Sequence, residues 1–437
     1  MGKADDCARP CGGAIAAGRD VDRTPLRRVA DSLPGGGRLA TNLPRHGLQS
    51  GPLAMAAVAL QRVGRWYGLA MNDTPARPIL PEDQPASAKY HGLQQLRAAA
   101  AILVMISHVI VRTFRDVPHD PRIADLVAQL GSLGVRTFFV ISGFIMLHVS
   151  WNRFGKDGQT AKFMRDRAIR VFPLYWLLTL AYAAFAKEAT PVGNIVQSLL
   201  FLPHKDAIDG QPYPVLALGW TLNYEVLFYV IFAFGLLFAR RAVGIALVAV
   251  VLVLLTLVGW GTDRLGTAGT FWTSPIILLF LAGMALCIVR RETLSKAGWR
   301  WSGLVALALL LVEVPVSMGL AEAAPFLVQA SIAVTAIVAV ALVTLCPGPS
   351  GGVVGRWGEF LGDASYSLYL SHPFAIIVAV QLWLRLMPGL PPMAFIPVAL
   401  IACLIGGVAC YVLVERPLTH VIRRIVGNGG AVRPASR

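Results

Sequence analysis

Residues 96–111 read LRAAAAILVMISHVIV, an apolar run that carries a histidine, His108, in its second half. An ionisable side chain is costly at bilayer depth, so one that is kept there faces a protein interior or an aqueous cavity and is a functional residue by default. Arg97 lies eleven residues earlier. At about 1.5 Å of rise per residue the two are roughly 16 Å apart, about half the hydrocarbon thickness. A basic group at the membrane surface and a titratable group at mid-depth indicate an active site that is reached from one side.

The composition of the 437-residue chain is that of a polytopic membrane protein. Hydrophobic residues make up 56% of it, charged residues only 14%, and the mean hydropathy is +0.62, which excludes a soluble domain of this size. The net charge of +15 does not indicate nucleic acid as a partner, because the basic residues form short clusters between apolar runs. The six cysteines show no CxxC pairing, so neither a disulfide framework nor a metal site is expected.

The first part of the chain, residues 1–90, is rich in Gly, Pro, Arg and Asp and has no apolar run long enough to span a bilayer. We expect it to be a disordered basic extension. One membrane domain is expected at residues 91–426, followed by a disordered tail at 427–437. Met55 and Met71 are both candidate initiation residues. A start at Met71 would leave a polar lead of about twenty residues before the first span.

Ten apolar stretches are long enough to cross a bilayer, for which about 17 to 25 residues are needed. They are residues 95–113, 133–150, 171–187, 216–238, 242–260, 271–290, 301–320, 324–346, 362–385 and 394–414. A weaker run from Val192 to Leu202 is too short and is expected to be a half-helix or an interfacial segment. The predicted fold class is therefore all-α integral membrane, with about ten transmembrane helices.

Lysines and arginines concentrate in every second loop between these spans, as expected of cytoplasmic loops. The clearest clusters lie at residues 153–170, 240–241 and 290–300, whereas the first loop on the other side, with Arg112 and Arg115, is an exception. The alternation predicts that the N- and C-termini are both cytoplasmic.

Two motifs near the second and third spans each admit a structural and a functional interpretation. Ser142-Gly143 is typical of a small-residue surface for close helix contact; a nucleophilic serine is the alternative, although no Gly-x-Ser-x-Gly elbow surrounds it. Arg165, Arg167 and Arg170 directly precede the third span. They fit the positive-inside rule alone, and they also fit a phosphate site, because guanidinium groups bind phosphate oxygens bidentately.

Three further positions carry polar side chains in or beside later spans. Glu225 lies in the fourth span, where a carboxylate must be paired, protonated or facing water. It either pairs with an arginine of another span, or it orients His108 or binds a sugar hydroxyl. In the ninth span, Tyr366 and His372 belong to a run of hydroxyl-bearing residues, SYSLYLSH at 365–372, for which hydrogen bonding across helices is the simplest explanation.

The order of these motifs resembles that of the membrane acyltransferase-3 family. The residues that carry the resemblance are Arg97 with His108, FVISGF at 139–144, Arg167 and Arg170 with the following Val-x-Pro-Leu-Tyr, WTLNYE at 220–225, SYSLYL-x-H at 365–372 and Glu-Arg-Pro at 415–417. Over residues 92–426 the chain is most similar to the stand-alone exopolysaccharide and O-antigen O-acetyltransferases. It departs from the family at Asn223-Tyr224-Glu225, where a Ser-Val-Glu type sequence is common, and at Ala98, where a glycine often stands. At Glu415-Arg416-Pro417 an interfacial helix end stabilised by local charges is expected.

The resemblance implies a multi-pass enzyme of the bacterial cytoplasmic (inner) membrane that transfers an acyl group, expected to be acetyl, to a hydroxyl of a cell-surface or exported polysaccharide or of a lipid-linked sugar. The donor would be cytoplasmic acyl-CoA, a substrate rather than a permanently bound cofactor. A transporter or flippase of a glycan intermediate is the alternative class, although no internal repeat supports it. An acyltransferase for a small hydroxylated metabolite is the third possibility.

The resemblance also suggests roles for eight side chains. Arginines would hold the donor phosphates, His108 would deprotonate the acceptor or relay the acyl group, and Glu225 would orient the imidazole or contact the sugar. Hydroxyl groups would bind substrate or stabilise the thioester oxygen as it gains charge. The arginines are Arg97, Arg167 and Arg170, and the hydroxyl groups are those of Ser142 and Tyr366. His372 completes the set as a further residue at the substrate.

Overall fold

The computed structural model describes residues 91–428, apart from 116, 118, 186–189, 206–209, 263–264, 293–323, 346–351 and 388. The predicted extension at residues 1–90 and the predicted span at 301–320 lie outside the described residues. Of the predicted tail at 427–437, only residues 427 and 428 are described. The described part of the chain contains helices and the loops between them, and no strand. Its helices are α1 His91–Phe114, α2 Pro121–Ser150, α3 Gln159–Phe185, α4 Val192–Leu199, α5 Trp220–Leu236, α6 Arg241–Gly261, α7 Gly266–Trp272, α8 Leu278–Glu292, α9 Pro325–Leu345, α10 Val353–Asp363, α11 Ser365–Leu386, α12 Phe395–Cys410 and α13 Arg416–Asn428.

Within these residues, nine helices or joined helices are long and apolar enough to cross a membrane. They coincide with nine of the ten predicted spans, and the tenth is the one at 301–320. Two spans begin earlier than predicted. α2 begins at Pro121, where the Asp120 side chain accepts a hydrogen bond from the Arg122 amide at 2.9 Å and caps the helix. α3 begins at Gln159, and its first three turns carry the charged residues that precede the predicted span. These turns and the span form one continuous helix.

The weak run after the third span forms a short helix, as predicted. α4 has eight residues, too few to cross a bilayer. Two side chains of α3 bind the C-terminal end of α4. The Tyr175 hydroxyl donates to the Ser198 carbonyl at 3.2 Å, and the Trp176 indole donates to the Leu199 carbonyl at 2.8 Å. The chain then returns through Leu216 and Leu218, both buried, to the start of α5.

α2 is the most buried of the nine spans and lies against α8 at very short range. A Cβ atom added at Gly143 would lie 2.0 Å from the Phe280 carbonyl oxygen, and one at Gly283 would lie 2.0 Å from the Val140 carbonyl oxygen. Only glycine allows two helices to approach this closely. The interpretation of Ser142-Gly143 as a surface for close helix contact is therefore confirmed for the glycine.

α1 and α11 lie side by side and run in the same direction. Gly362, just before α11, touches the Gln94 backbone so closely that a Cβ there would lie 2.0 Å from its carbonyl oxygen. Further along, His372 of α11 meets His108 of α1. The parallel arrangement therefore places Arg97 and the start of α11 at one level, and the two histidines deeper in the membrane domain.

Candidate active site

His108 is paired with His372. Nε2 of His372 lies 3.0 Å from Nδ1 of His108, and the ring centroids are 5.0 Å apart at an interplanar angle of 27°. His372 is fully buried, and its Nδ1 lies 3.2 Å from the Leu368 carbonyl oxygen one turn earlier. A carbonyl can only accept a hydrogen bond. In the neutral pair the His372 proton is therefore on Nδ1, its Nε2 accepts from Nδ1–H of His108, and Nε2 of His108 keeps its lone pair.

Glu225 lies elsewhere and does not orient the histidine. Its carboxylate accepts hydrogen bonds from the Ser142 hydroxyl, at 3.1 Å, and from the Tyr229 hydroxyl. The expectation that Glu225 orients His108 is thus wrong for this structure, because His372 occupies that position. The alternative expectation, that Glu225 pairs with an arginine, is not met either. Its hydrogen-bond partners among the described residues are hydroxyl groups from α2 and from its own helix.

One cavity of about 140 Å³ brings together six of the eight predicted side chains. They are Arg97, Arg167, Arg170, Ser142, Glu225 and Tyr366, which come from five different helices. His108 and His372 are not among the lining residues. Tyr369, however, lines the cavity, and its ring centroid lies 6.3 Å from that of His372. The cavity therefore ends one side chain away from the histidine pair.

The arginines in this cavity have donor groups that find no acceptor within the described part of the chain. Nη1 of Arg97 donates to the Gln94 side chain at 3.1 Å, and Nη1 of Arg170 lies 3.8 Å from a Glu415 carboxylate oxygen. In contrast, Nε of Arg167 and Nη2 of Arg170 are buried with no acceptor among the described residues. Buried N–H groups are nearly always paired in a folded protein. These two therefore fit an anionic ligand in the cavity.

Glu415 is a site-adjacent residue whose position the sequence did not reveal. It is 5% exposed, accepts a hydrogen bond from Ser367 at 2.6 Å and faces Arg170. It lies in a π-helical turn, Tyr411–Glu415, between α12 and α13, and such turns often occur at functional sites. The predicted helix end is therefore wrong, because the helix continues as α13, and Glu415 links α3 to α11 through Arg170 and Ser367.

The hydroxyl groups differ in what they can still donate. Tyr366 donates to the Val171 carbonyl at 2.6 Å and Ser142 donates to Glu225, so both hydroxyl protons are already engaged. Ser365 lines the same cavity, is fully buried, and its Oγ has no partner within the described part of the chain. In the sequence, Ser365 is one member of the SYSLYLSH run, and no local feature distinguishes it from its neighbours.

Comparison with known proteins agrees with the resemblance seen in the motifs. The acyltransferase-3 family model, described as an acyltransferase domain, matches residues 90–412. The exopolysaccharide production protein ExoZ of Rhizobium meliloti (strain 1021) is 34% identical over 302 residues, which cover 66% of this chain and 90% of that protein. The acyltransferase MdmB of Streptomyces mycarofaciens is 25% identical over 390 residues, 78% of this chain and 94% of that one. No solved structure matches. The chain belongs to the acyltransferase-3 family.

Proposed function

We propose that this acyltransferase moves an acetyl group from cytoplasmic acetyl-CoA to a hydroxyl of an exported or lipid-linked polysaccharide, in the cytoplasmic (inner) membrane of a bacterium. Family membership supports the acyl transfer, and the relative named for exopolysaccharide production supports a glycan acceptor. The observation that carries the proposal is a cavity that is lined by three arginines and ends one side chain away from the histidine pair. Two of these arginines have buried N–H groups with no acceptor among the described residues.

The arginines are suited to hold the phosphates of the donor. A guanidinium group forms paired, charge-assisted hydrogen bonds with phosphate oxygens, and Arg167 and Arg170 have N–H groups available for them. Arg97 and His108 are eleven residues apart on α1, which corresponds to roughly 16 Å along the helix axis. The pantetheine arm of coenzyme A would extend over this distance and bring the thioester toward His108.

His108 is the proposed general base. Its Nε2 takes the proton of the acceptor hydroxyl while that oxygen attacks the thioester carbonyl carbon. The carbon–sulfur bond then breaks, the new ester C–O bond remains, and the imidazolium returns the proton to the departing thiolate of coenzyme A. His372 is a positioning residue in this scheme: it holds the Nδ1 proton of His108 at 3.0 Å, which leaves the Nε2 lone pair for the substrate.

The negative charge that develops on the thioester oxygen needs a hydrogen-bond donor. Ser142 and Tyr366 were predicted for this role, but each already donates to a protein acceptor. Ser365 has a buried hydroxyl that lines the cavity without a partner among the described residues, but it lies at the start of α11, seven residues before His372, or about 10 Å along the helix axis. We therefore assign it a hydrogen bond to the donor near the arginines, and not to the thioester oxygen at His108. Glu225 would keep Ser142 in place and balance the charge of the arginines rather than react.

The proposal is tested by mass spectrometry of the surface polysaccharide from a strain that lacks the gene, complemented with wild type, with His108→Ala or with His204→Ala. His204 is a matched control, because it is a buried histidine on the chain after α4 and lies outside the cavity lining. We expect acetyl groups to be restored by wild type and by His204→Ala and to be absent with His108→Ala, although all three proteins are present in the membrane. Loss of sugar export in the deletion strain would instead indicate a transporter and contradict the proposal.

A further inference from the structure

Three helix ends meet around Trp151, at the end of α2. The guanidinium carbon of Arg241, at the start of α6, lies 3.8 Å from the centre of the indole ring, and that of Arg291, near the end of α8, lies 4.5 Å from it. Nη2 of Arg291 also lies 3.3 Å from the His148 carbonyl oxygen. The tryptophan and the backbone therefore fix the two guanidinium groups in place.

This cluster has a positive charge that the described residues do not neutralise. Neither Arg241 nor Arg291 has a carboxylate partner among them. Because the two groups lie 3.8 and 4.5 Å from the centre of one ring, their charges are no more than about 8 Å apart and repel each other. Arg240 is exposed beside them, and the N-terminus of α6 has no side-chain cap, so its amide dipoles add to the positive potential. The cluster is complementary to an anion.

A groove on the outer surface lies next to this cluster along the chain, because its lining residue Phe238 is two residues before Arg240. It lies between α5 and α6, has a volume of about 450 Å³ and an almost wholly apolar lining: Ile231, Phe234, Leu237, Phe238, Leu247 and Val251. Phe234 and Leu237 are 59% and 61% exposed, as expected of side chains that face lipid. Val251 lies ten residues along α6 from Arg241, about 15 Å or half the hydrocarbon thickness. The groove therefore spans the depth of one leaflet.

We propose that the groove and the cluster together form a binding site for one anionic phospholipid of the leaflet on the basic, predicted cytoplasmic side. One acyl chain lies between α5 and α6, and the headgroup phosphate is held by Arg240, Arg241 and Arg291. Basic pockets at this side of a membrane bind anionic headgroups, and tryptophan is typical of the interface. None of these residues lines the arginine cavity, so the proposal does not depend on the acyl-transfer mechanism.

The test uses the purified full-length protein and native mass spectrometry after incubation with phosphatidylglycerol or with zwitterionic phosphatidylcholine. We expect wild type to retain one phosphatidylglycerol molecule in preference to phosphatidylcholine. The double variant Arg240→Gln and Arg241→Gln should retain it at least about tenfold less. The matched control, Arg423→Gln and Arg424→Gln, removes the same charge from exposed positions of α13 and should retain it like wild type.

A second variant separates the groove from the charge. Leu247→Trp fills the groove and leaves the arginines in place, so it should also lose the lipid, while its melting temperature without added lipid stays near that of wild type. Equal retention of both lipids by wild type would overturn the proposal, and so would equal loss in the two double variants. A stable dimer that Leu247→Trp dissociates would assign the groove to a second copy of the chain and would overturn it as well.

Discussion

Replacing His372 with alanine is predicted to slow the chemical step without weakening donor binding. The change removes the acceptor that lies 3.0 Å from Nδ1 of His108 and leaves the Val104 backbone as a hydrogen-bond partner of that ring. The loss matters most when His108 becomes an imidazolium in the transition state, because a hydrogen bond from a charged donor contributes about 1.5–3 kcal/mol. Since about 1.4 kcal/mol corresponds to a factor of ten in rate, kcat should fall by about 10- to 150-fold. His372 does not line the arginine cavity, so KM for acetyl-CoA should change by less than about twofold.

The assay measures the release of free coenzyme A thiol by purified protein in vesicles, with the acceptor saturating and acetyl-CoA varied, so that kcat and KM are obtained separately. His372→Gln supplies an amide oxygen that can accept the His108 proton, and it should recover part of the lost kcat. A purely structural role would predict similar losses for both variants together with lower melting temperatures. A wild-type kcat for well-folded His372→Ala would refute the reasoning.

Three other changes test the surrounding site and fold. Arg167→Gln removes a cavity N–H that has no acceptor among the described residues, and it should raise KM for acetyl-CoA at least about tenfold. Arg165→Gln, at a half-exposed position outside the cavity lining, should leave KM unchanged. Equal KM values for the two variants would contradict a phosphate role. Gly143→Ala places a methyl group 2.0 Å from a carbonyl oxygen of α8 and should lower the melting temperature and folded yield. Gly193→Ala, with nothing within 4 Å, should leave both unchanged, and matching melting curves would argue against close packing. Glu225→Gln replaces the carboxylate with a neutral amide, whose oxygen is a weaker acceptor for the Ser142 and Tyr229 hydroxyl groups. kcat should therefore fall about tenfold. Unchanged kinetics would show that Glu225 is not part of the site.

The spans could be predicted from the sequence because the bilayer imposes both a length and an apolar composition. Where a helix continues beyond the lipid, hydropathy did not predict the residue at which it begins. α2 begins at Pro121 rather than near 133, and α3 at Gln159 rather than near 171. Polar turns at the surface carry no hydropathy signal. The Asp120-Pro121 pair is a capping signal that would have placed the first of these starts.

Most of the ionisable residues that meet at the candidate site could also be identified from the sequence, because charged groups in apolar spans are rare. Their partners could not. His108 and His372 are 264 positions apart, and the sequence does not say which helix faces which. Glu225 was expected to meet a histidine or an arginine and instead accepts from hydroxyl groups. Glu415 belongs to a π-helical turn that shifts it into the protein, and no local pattern predicts that turn.

The most direct test of the central claim follows labelled acetyl groups from acetyl-CoA to the isolated polysaccharide acceptor, with purified wild type and with His108→Gln. Binding of acetyl-CoA to each protein is measured in parallel, because the variant leaves the arginine cavity intact. The account predicts that both proteins bind the donor, that wild type transfers the label, and that His108→Gln transfers none above the protein-free rate. Transfer by His108→Gln at the wild-type rate would contradict it.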